Sequence, residues 1–274
     1  MICYPNAKIN LGLYVTEKRP DGYHNLETGM YPIQLCDALE VVPPTDDSDF
    51  CLKVSGLMEN ENSNDNLVAK AFHLLKSDFP HLRCTAYLHK VIPFGAGLGG
   101  GSSDAAFALR LFSDYFKLNL SIEQLEAYAA QLGSDCPFFI RNRPMLATGT
   151  GTHLQELDLS LNGLYLVLLK PDVMVSTRTA YAGIRPFKRD IPLLEQLKKP
   201  VQQWKDVLDN DFESNVFQAH PQLKQLKEQL YQAGAVYASM TGSGSAVYGL
   251  FNEAVHGFEQ SNLFCWTEQL NKRI

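Results

Sequence analysis

The feature that most constrains this chain is a run of glycines between a predicted strand and a predicted helix. Five of the seven residues from Gly95 to Gly101 are glycine. Residues 84–92 before them are typical of a strand, and residues 105–115 after them are rich in Ala, Leu and Phe. Glycines let a backbone approach an anion closely, and the first N–H groups of a helix point at it. A plain turn is the alternative, but so many glycines carry a high cost in chain entropy. The pattern predicts a phosphate-binding loop.

Three common nucleotide-binding loops do not account for this one. The spacing Gly95-x-Gly97-x-x-Gly100 fits the dinucleotide fingerprint, but that fingerprint needs a following strand and an acidic residue ~20 positions on. Here two predicted helices follow instead. Ser102-Ser103 stands where a Walker A loop ends in Lys-Ser or Lys-Thr. The VAIK, HRD and DFG elements of protein kinases are absent as well.

The rest of the chain mixes predicted strands and helices in irregular order. Turns are predicted at 20–22 and 149–151. Strands are predicted at 6–15, 38–42, 84–92, 164–169 and 246–251, and helices at 64–77, 105–115, 121–133 and 221–233. This order is typical of two α+β domains rather than of regular βαβ repeats. We predict domains at 1–158 and 159–274.

Composition limits the partners and the compartment. The net charge is -6, with Lys and Arg scattered along the chain, which argues against nucleic acid or an anionic membrane as partner. The N-terminus has no signal-peptide pattern, and no apolar run approaches the ~20 residues that span a bilayer. The six cysteines form no CxxC pair, and no histidine has metal-ligand spacing. We therefore expect a cytoplasmic protein without a structural metal site.

Residues 93–106, PFGAGLGGGSSDAA, closely resemble the phosphate-binding motif of the GHMP small-molecule kinases. Segments 5–11, 19–26, 132–139, 210–213 and 241–245 agree with the same family in order and spacing. The resemblance implies an α+β GHMP kinase fold: an N-terminal nucleotide-binding domain, a C-terminal ferredoxin-like domain, and an active site between them. It also implies ATP as phosphoryl donor, Mg²⁺, and a small alcohol as acceptor, here one that carries a cytidine diphosphate group.

The resemblance also implies which residues form the site. The ATP-binding positions are Pro93, Phe94, Gly95, Ala96, Gly97, Leu98, Gly99, Gly100, Gly101, Ser102, Ser103 and Asn66. The substrate-binding positions are Asn10, Tyr23, His24 and Tyr181, with the aromatic residues against the two faces of the cytosine ring. The catalytic positions are Lys8 and Asp135. The magnesium ligands are unknown; the hydroxyl of Ser102 or Ser103 is a candidate.

Taken without the resemblance, several of these residues have ordinary structural interpretations. Spacing alone favours a solvated lysine on an edge strand for Lys8 and a turn or capping aspartate for Asp135. Tyr23 fits an aromatic that packs inward at a strand start, and Asn66 fits a helix cap equally well. Residues 241–245 form either a plain turn or a second glycine turn that braces the phosphate loop.

Three other functions remain open from the sequence. One is a GHMP kinase for a different alcohol, such as homoserine or mevalonate, in which Tyr23-His24 would have no purpose. Another is a nucleotide sensor without catalysis, against which Lys8 and Asp135 argue. The third, a Rossmann dehydrogenase, lacks the strand that its fingerprint requires.

Overall fold

The computed structural model describes residues 1–57, 65–258 and 263–271. The strands in these ranges are β1 (Ile2–Cys3), β2 (Asn6–Lys18), β3 (His24–Cys36), β4 (Ala38–Val42), β5 (Phe50–Gly56), β6 (Cys84–Lys90), β7 (Met145–Gly149), β8 (His153–Glu156), β9 (Tyr165–Pro171), β10 (Tyr237–Met240), β11 (Val247–Phe251) and β12 (Leu263–Gln269). The α-helices are α1 (Leu67–Asp78), α2 (Gly100–Tyr115), α3 (Ile122–Leu132), α4 (Cys136–Arg141), α5 (Thr177–Tyr181), α6 (Leu193–Leu197), α7 (Phe212–Ala219) and α8 (Pro221–Gln232), and a 3₁₀ helix covers Val201–Asp206. None of these helices is long and apolar enough to cross a membrane.

The chain divides into two compact units. The first unit comprises Met1–Ala7, Leu35–Phe94 and Gly99–Arg143. The second comprises Lys8–Gln34, Gly95–Leu98 and the described part of Pro144–Ile274. The sequence-based domain boundary at 158/159 stays a prediction.

The first unit is a four-stranded sheet with helices packed on it. Its strand order is β1-β4-β6-β5, in which β4 and β6 are antiparallel and β5 and β6 parallel. Helix α1 packs against α2 and α2 against α4. Phe72 of α1 stacks on Phe50 of β5 with ring centroids 4.3 Å apart, and Phe112 of α2 meets Phe72 edge-on at 5.5 Å. This aromatic cluster fixes α2, the helix that follows the glycine loop.

The second unit contains two four-stranded sheets. One has the order β2-β3-β7-β8, and the predicted turns at 20–22 and 149–151 join its hairpins. Every residue of β2 from Asn6 to Val15 is buried, so both faces of this strand are covered. A lysine on β2 is therefore surrounded by protein.

The other sheet has the antiparallel order β10-β11-β9-β12. In chain order its strands stand as 2-3-1-4, the arrangement of a ferredoxin-like fold. Its core includes Val167, Leu169 and Val247 from the sheet and Leu223 and Leu230 from α8. The described residues 252–258 between β11 and β12 contain no helix. The predicted ferredoxin-like domain is thus confirmed. Its second connection between strands, from β11 to β12, has no helix in its described residues.

The predicted elements agree with the structure except near the glycine loop. Strand 38–42 is exact, and Ser121 caps α3 in a complete capping box with Gln124. The predicted helix at 64–77 begins at Leu67, and residue 64 lies outside the described residues. Helix α2 begins at Gly100, five residues earlier than predicted, because the last two glycines of the run are helical. Helix α3 follows α2 with no strand between them, which excludes a dinucleotide-binding unit.

Candidate active site

The first half of the glycine loop, Gly95–Leu98, is held by the turn at 241–245. Thr241 Oγ1 donates to the carbonyl of Gly97 at 3.0 Å, and the amide of Ser245 donates to the carbonyl of Gly95 at 3.1 Å. Gly97 has φ +73°, and a Cβ on it would lie 1.9 Å from the carbonyl oxygen of Thr241. Only glycine fits this close approach. The predicted brace is confirmed, and a plain turn does not describe it.

The second half of the loop is the start of α2. Gly99 is the N-cap with φ +71°, and no side chain caps the helix. The first N–H groups of a helix have no partner inside it, and they carry the positive end of the helix dipole. An uncapped start built from Gly100 and Gly101 therefore fits a phosphate group.

The two helical glycines face different surroundings. A Cβ on Gly100 would lie 2.9 Å from Ile92 Cγ2 and 3.5 Å from Lys90 Nζ, so this glycine is needed for packing. A Cβ on Gly101 would find only Leu67 Cδ1, at 3.8 Å. A substitution of Gly100 would disturb the interior as well as any ligand. Gly101 is therefore the better of the two positions at which to test phosphate binding with an added side chain.

Ser102 and Ser103, which follow the two helical glycines, also differ in how far they are buried. Ser103 is fully buried, and its Oγ donates to the carbonyl of Asn6 at 2.7 Å. Ser102 is half-buried, which makes it the more accessible magnesium candidate. Among the described residues, no group of three or more His, Cys, Asp or Glu is arranged to hold a metal ion. Mg²⁺ at kinase sites takes few protein ligands in addition to substrate phosphates, so the magnesium ligands stay a prediction.

A buried charged cluster lies beneath the start of α2. The ammonium of Lys90 contacts Asp37 Oδ2 and lies 2.5 Å from Asp104 Oδ2. Asp37 Oδ1 also accepts from the amides of Val91 and Ile92, which ends β6 two residues before the predicted strand end. Asp104 Oδ1 has no hydrogen-bond partner. Burial raises the pKa of Asp104 to about 8, with Lys90 opposing and Asp37 adding to the shift. Asp104 therefore keeps its proton to a higher pH than an ordinary aspartate does.

This protonation predicts a pH-dependent stability. Between its ordinary pKa of 3.8 and about 8, Asp104 keeps a proton in the folded chain that the unfolded chain has released. Stability then falls as the pH rises through that window, and the effect levels off above it. Asp104→Asn removes this titration. As the pH rises through the window, the free energy of unfolding of the variant should therefore increase relative to that of wild type, by up to about 1.4 kcal/mol per pH unit. Urea unfolding of both proteins from pH 5.5 to 9 measures the difference.

The control for this test is Asp114→Asn, which removes an exposed carboxylate from the same helix. If the difference between Asp104→Asn and wild type stays constant with pH, the protonated state of Asp104 is excluded.

Lys8 is buried in the second unit. It is 3% exposed, so the interpretation as a solvated edge lysine is wrong: β2 lies at the edge of its sheet, but both of its faces are covered. Its Nζ donates to Asn10 Oδ1 at 2.5 Å and to the carbonyl of Gly97 at 2.9 Å. Its backbone amide donates to the carbonyl of Leu98 at 3.0 Å. Lys8 is thus tied directly to the first half of the glycine loop.

Asp135 lies in the first unit, at the N-cap position of α4. Its side chain makes no capping hydrogen bond, although Cys136 and Pro137 in the first turn are buried. The interpretation as a capping aspartate is therefore wrong, but Asp135 does lie in a turn, with Ser134, directly before α4. The side chain is half-buried. A carboxylate at a helix start that makes no capping hydrogen bond is compatible with the predicted catalytic role, which stays a prediction.

The predicted substrate residues fall into two groups. Tyr23 is 69% exposed and does not pack inward, while His24 stacks on Tyr181 with ring centroids 4.9 Å apart and planes 21° apart. Asn10 is 3% exposed and is bonded to Lys8 and to two threonines. Asn66 caps α1 by accepting from the amide of Val68 at 2.9 Å, so its cap interpretation is confirmed. The ligand contacts of all these residues stay predictions.

The sequence did not single out two further residues of this network. Thr28 on β3 accepts from Asn10 Nδ2 at 2.9 Å. Asn210 Nδ2 donates to the carbonyls of Met240 and Gly242, at 2.8 Å each, and so holds the turn that braces the loop. The only signal for Asn210 was its place in the segment 210–213, to which no role was attached.

Comparison with known proteins gives consistent results. The family model "GHMP kinases N terminal domain" matches residues 66–143, and "GHMP kinases C terminal" matches residues 192–259. The 4-diphosphocytidyl-2-C-methyl-D-erythritol kinase of Bacteroides thetaiotaomicron is 52% identical over 98% of this chain and 100% of its own length. The kinase of the same name from Parabacteroides distasonis is 50% identical over 99% and 100%.

Solved structures agree with these relatives. A crystal structure of 4-(cytidine 5'-diphospho)-2C-methyl-D-erythritol kinase has a TM-score of 0.77 and 33% identity, covering 91% of this chain and 90% of its own. The Methanococcus jannaschii mevalonate kinase has a TM-score of 0.65 at 14% identity, covering 99% and 98%, and shows the shared fold alone. On the strength of near-full-length relatives at about half identity and of both family models, the chain belongs to the GHMP kinase family.

Proposed function

We propose that this protein transfers the γ-phosphoryl group of ATP to the 2-hydroxyl of 4-diphosphocytidyl-2-C-methyl-D-erythritol, a step of the non-mevalonate route to isoprenoid precursors. The observation that carries the proposal is the 52% identity, over 98% of this chain, to a relative named as that kinase. The proposal extends the relative's name to this chain. The uncapped glycine start of α2 and the buried lysine beside the loop support it.

The residues divide the work of phosphoryl transfer, which depends mainly on positioning and charge neutralisation. The phosphate chain lies on residues 93–103, against the N–H groups that begin α2. Mg²⁺ bound to the phosphates would neutralise part of their charge. Asp135 accepts the proton of the attacking hydroxyl, and Lys8 orients that hydroxyl and offsets the charge that develops. Tyr23 and Tyr181 hold the faces of the cytosine ring, and His24 contacts its edge. Because His24 and Tyr181 stack on each other, the base does not lie between those two rings.

The direct test is a coupled assay for ADP release, with ATP, magnesium and a panel of alcohols. The panel contains the cytidylyl substrate, homoserine and mevalonate. We expect turnover with the cytidylyl substrate alone. Preference for homoserine or mevalonate would assign the chain to another GHMP activity, and ATP binding without ADP release for any alcohol would indicate a sensor.

ATP binding has its own test at Gly101. A Cβ at this exposed glycine meets only Leu67 Cδ1, at 3.8 Å, and a valine places a side chain at the helix start where phosphate is expected. A hydrogen bond to a charged group is worth about 1.5–3 kcal/mol, so losing one should weaken ATP binding roughly 10–100-fold. Calorimetric titration measures the dissociation constant.

The control is Asp114→Val, which adds a β-branched residue to an exposed position of the same helix away from the loop. It should bind ATP normally. Normal ATP affinity in a folded Gly101→Val protein would contradict phosphate binding at this helix start.

A cytoplasmic location is part of the same proposal. Cys3, Cys51, Cys84 and Cys136 are free thiols, and Cys84 and Cys136 are buried. Burial raises the pKa of both thiols. Chains with unpaired cysteines are typical of reducing compartments.

A further inference from the structure

The hydroxyl of Thr28 is the start of a directed chain of hydrogen bonds. Thr28 is 1% exposed and lies on β3, beside β2. Its Oγ1 donates to the carbonyl oxygen of Gly12 at 2.6 Å; the other carbonyl within reach, that of Gly29, is at 3.3 Å. A carbonyl can only accept, and a hydroxyl has a single proton. The oxygen of Thr28 can therefore only accept from its remaining neighbours.

This constraint orients the side-chain amide of Asn10. The amide lies 2.9 Å from Thr28 Oγ1, and an oxygen that can only accept requires the NH₂ end of the amide. The opposite end, Oδ1, then faces Lys8 Nζ at 2.5 Å. An ammonium can only donate, so the reverse orientation would set two donors against each other.

Thr241 fixes the same arrangement from the other side. Its Oγ1 accepts from the backbone amide of Asn10 at 3.1 Å. Its proton is directed to the carbonyl of Gly97 at 3.0 Å or to Asn10 Oδ1 at 3.2 Å. Both of these oxygens also accept a hydrogen bond from the ammonium of Lys8. Lys8, Asn10, Thr28 and Thr241 are each at most 3% exposed, so the network is shielded from bulk solvent.

We propose that Thr28 is a positioning residue for Lys8: its hydroxyl fixes the Asn10 amide so that Oδ1 holds the Lys8 ammonium in its working position. The inference rests on the proposed function, in which Lys8 is catalytic. It gives Asn10 a second task besides its predicted contact with substrate. It also gives a reason for a buried threonine 18 residues away from the side chain that it orients.

The test replaces Thr28 by valine, which has nearly the same shape but no hydroxyl. We expect kcat to fall roughly 10–100-fold, the scale at which a small misplacement of a reacting group affects a rate. The KM for ATP should stay within about twofold, because neither Thr28 nor Asn10 is among the predicted ATP-binding positions. Thr28→Ser restores the hydroxyl and should restore kcat.

The matched control is Thr85→Val. Thr85 is also 1% exposed, and its hydroxyl is bonded to Thr45, outside this network. It should lower the unfolding temperature and leave kcat unchanged. If Thr28→Val also lowers only the unfolding temperature and leaves kcat unchanged, the proposal is overturned.

If Thr28→Val fails to fold, Thr28→Cys replaces it, since a thiol donates and accepts hydrogen bonds only weakly. A cysteine variant with wild-type kcat would then overturn the proposal.

A double-mutant cycle separates this inference from the proposed function. Lys8→Met should abolish most turnover, and in that background Thr28→Val should have no further effect on residual kcat. A full, additive loss in the Lys8→Met background would overturn the positioning role. Near-normal turnover of Lys8→Met would instead remove the catalytic role of Lys8, and the inference with it. If Lys8→Met loses activity but Thr28→Val keeps wild-type kcat, the proposed function stands and only the positioning role of Thr28 is rejected.

Discussion

Asp135→Asn is expected to lower kcat by roughly 10²–10⁴-fold, the usual contribution of a general base. Asparagine has the same shape but cannot take the proton of the attacking hydroxyl. The substitution should not break α4, because the Asp135 side chain makes no capping hydrogen bond. The KM for ATP and for the alcohol should change far less than kcat, as expected for a group that acts in the transition state.

Steady-state kinetics with the cytidylyl substrate measures the effect, with unfolding temperature recorded for each variant. Asp114→Asn removes an exposed carboxylate from the first unit without touching the proposed site, and it should keep wild-type kcat. Equal losses in kcat and in substrate binding would make Asp135 a ground-state binding residue. Wild-type kcat in Asp135→Asn would exclude it as the base.

The parts of this structure that were predicted from sequence depend on near neighbours in the chain. The capping box of Ser121 and Gln124 joins residues three apart, and strand 38–42 ends at two prolines. Such patterns are determined by local backbone chemistry. The glycine run was identified for the same reason, although its last two residues are helical and not loop.

The burial of Lys8 depends on distant parts of the chain. A lysine between two asparagines on an alternating strand looks exposed, and only the covering of both faces of β2 makes it an interior residue. Two of the groups that accept a hydrogen bond from its ammonium belong to Gly97, 89 residues away in sequence, and Asn10, two residues away. Periodicity predicts which residues share a face of a strand, but not which other segment covers that face. The family resemblance, rather than the spacing, pointed to this lysine.

The second large effect concerns the base that the enzyme reads. We predict that it accepts the cytidylyl substrate and rejects its uridylyl analogue by ~10²–10⁴-fold in kcat/KM. Stacking on aromatic rings does not distinguish these pyrimidines, since both present a similar face. Their edges differ: cytosine offers an amino donor and a ring-nitrogen acceptor where uracil offers a carbonyl acceptor and an N–H donor. Two buried mismatched pairs, at about 1–3 kcal/mol each, account for the predicted ratio.

His24 is the residue proposed to read that edge, and its ring also stacks on Tyr181. His24→Ala would remove both the ring nitrogens and the stack, so His24→Phe is the sharper variant, because it keeps an aromatic ring against Tyr181. The measurement is kcat/KM for both substrates in wild type, His24→Phe and His24→Ala. A preference lost in both variants assigns the reading to the imidazole nitrogens. If both variants keep the preference for the cytidylyl substrate, the base edge is recognised by the backbone of this segment or by another residue. Equal wild-type efficiencies for the two substrates would reject cytosine recognition, whatever the behaviour of the variants.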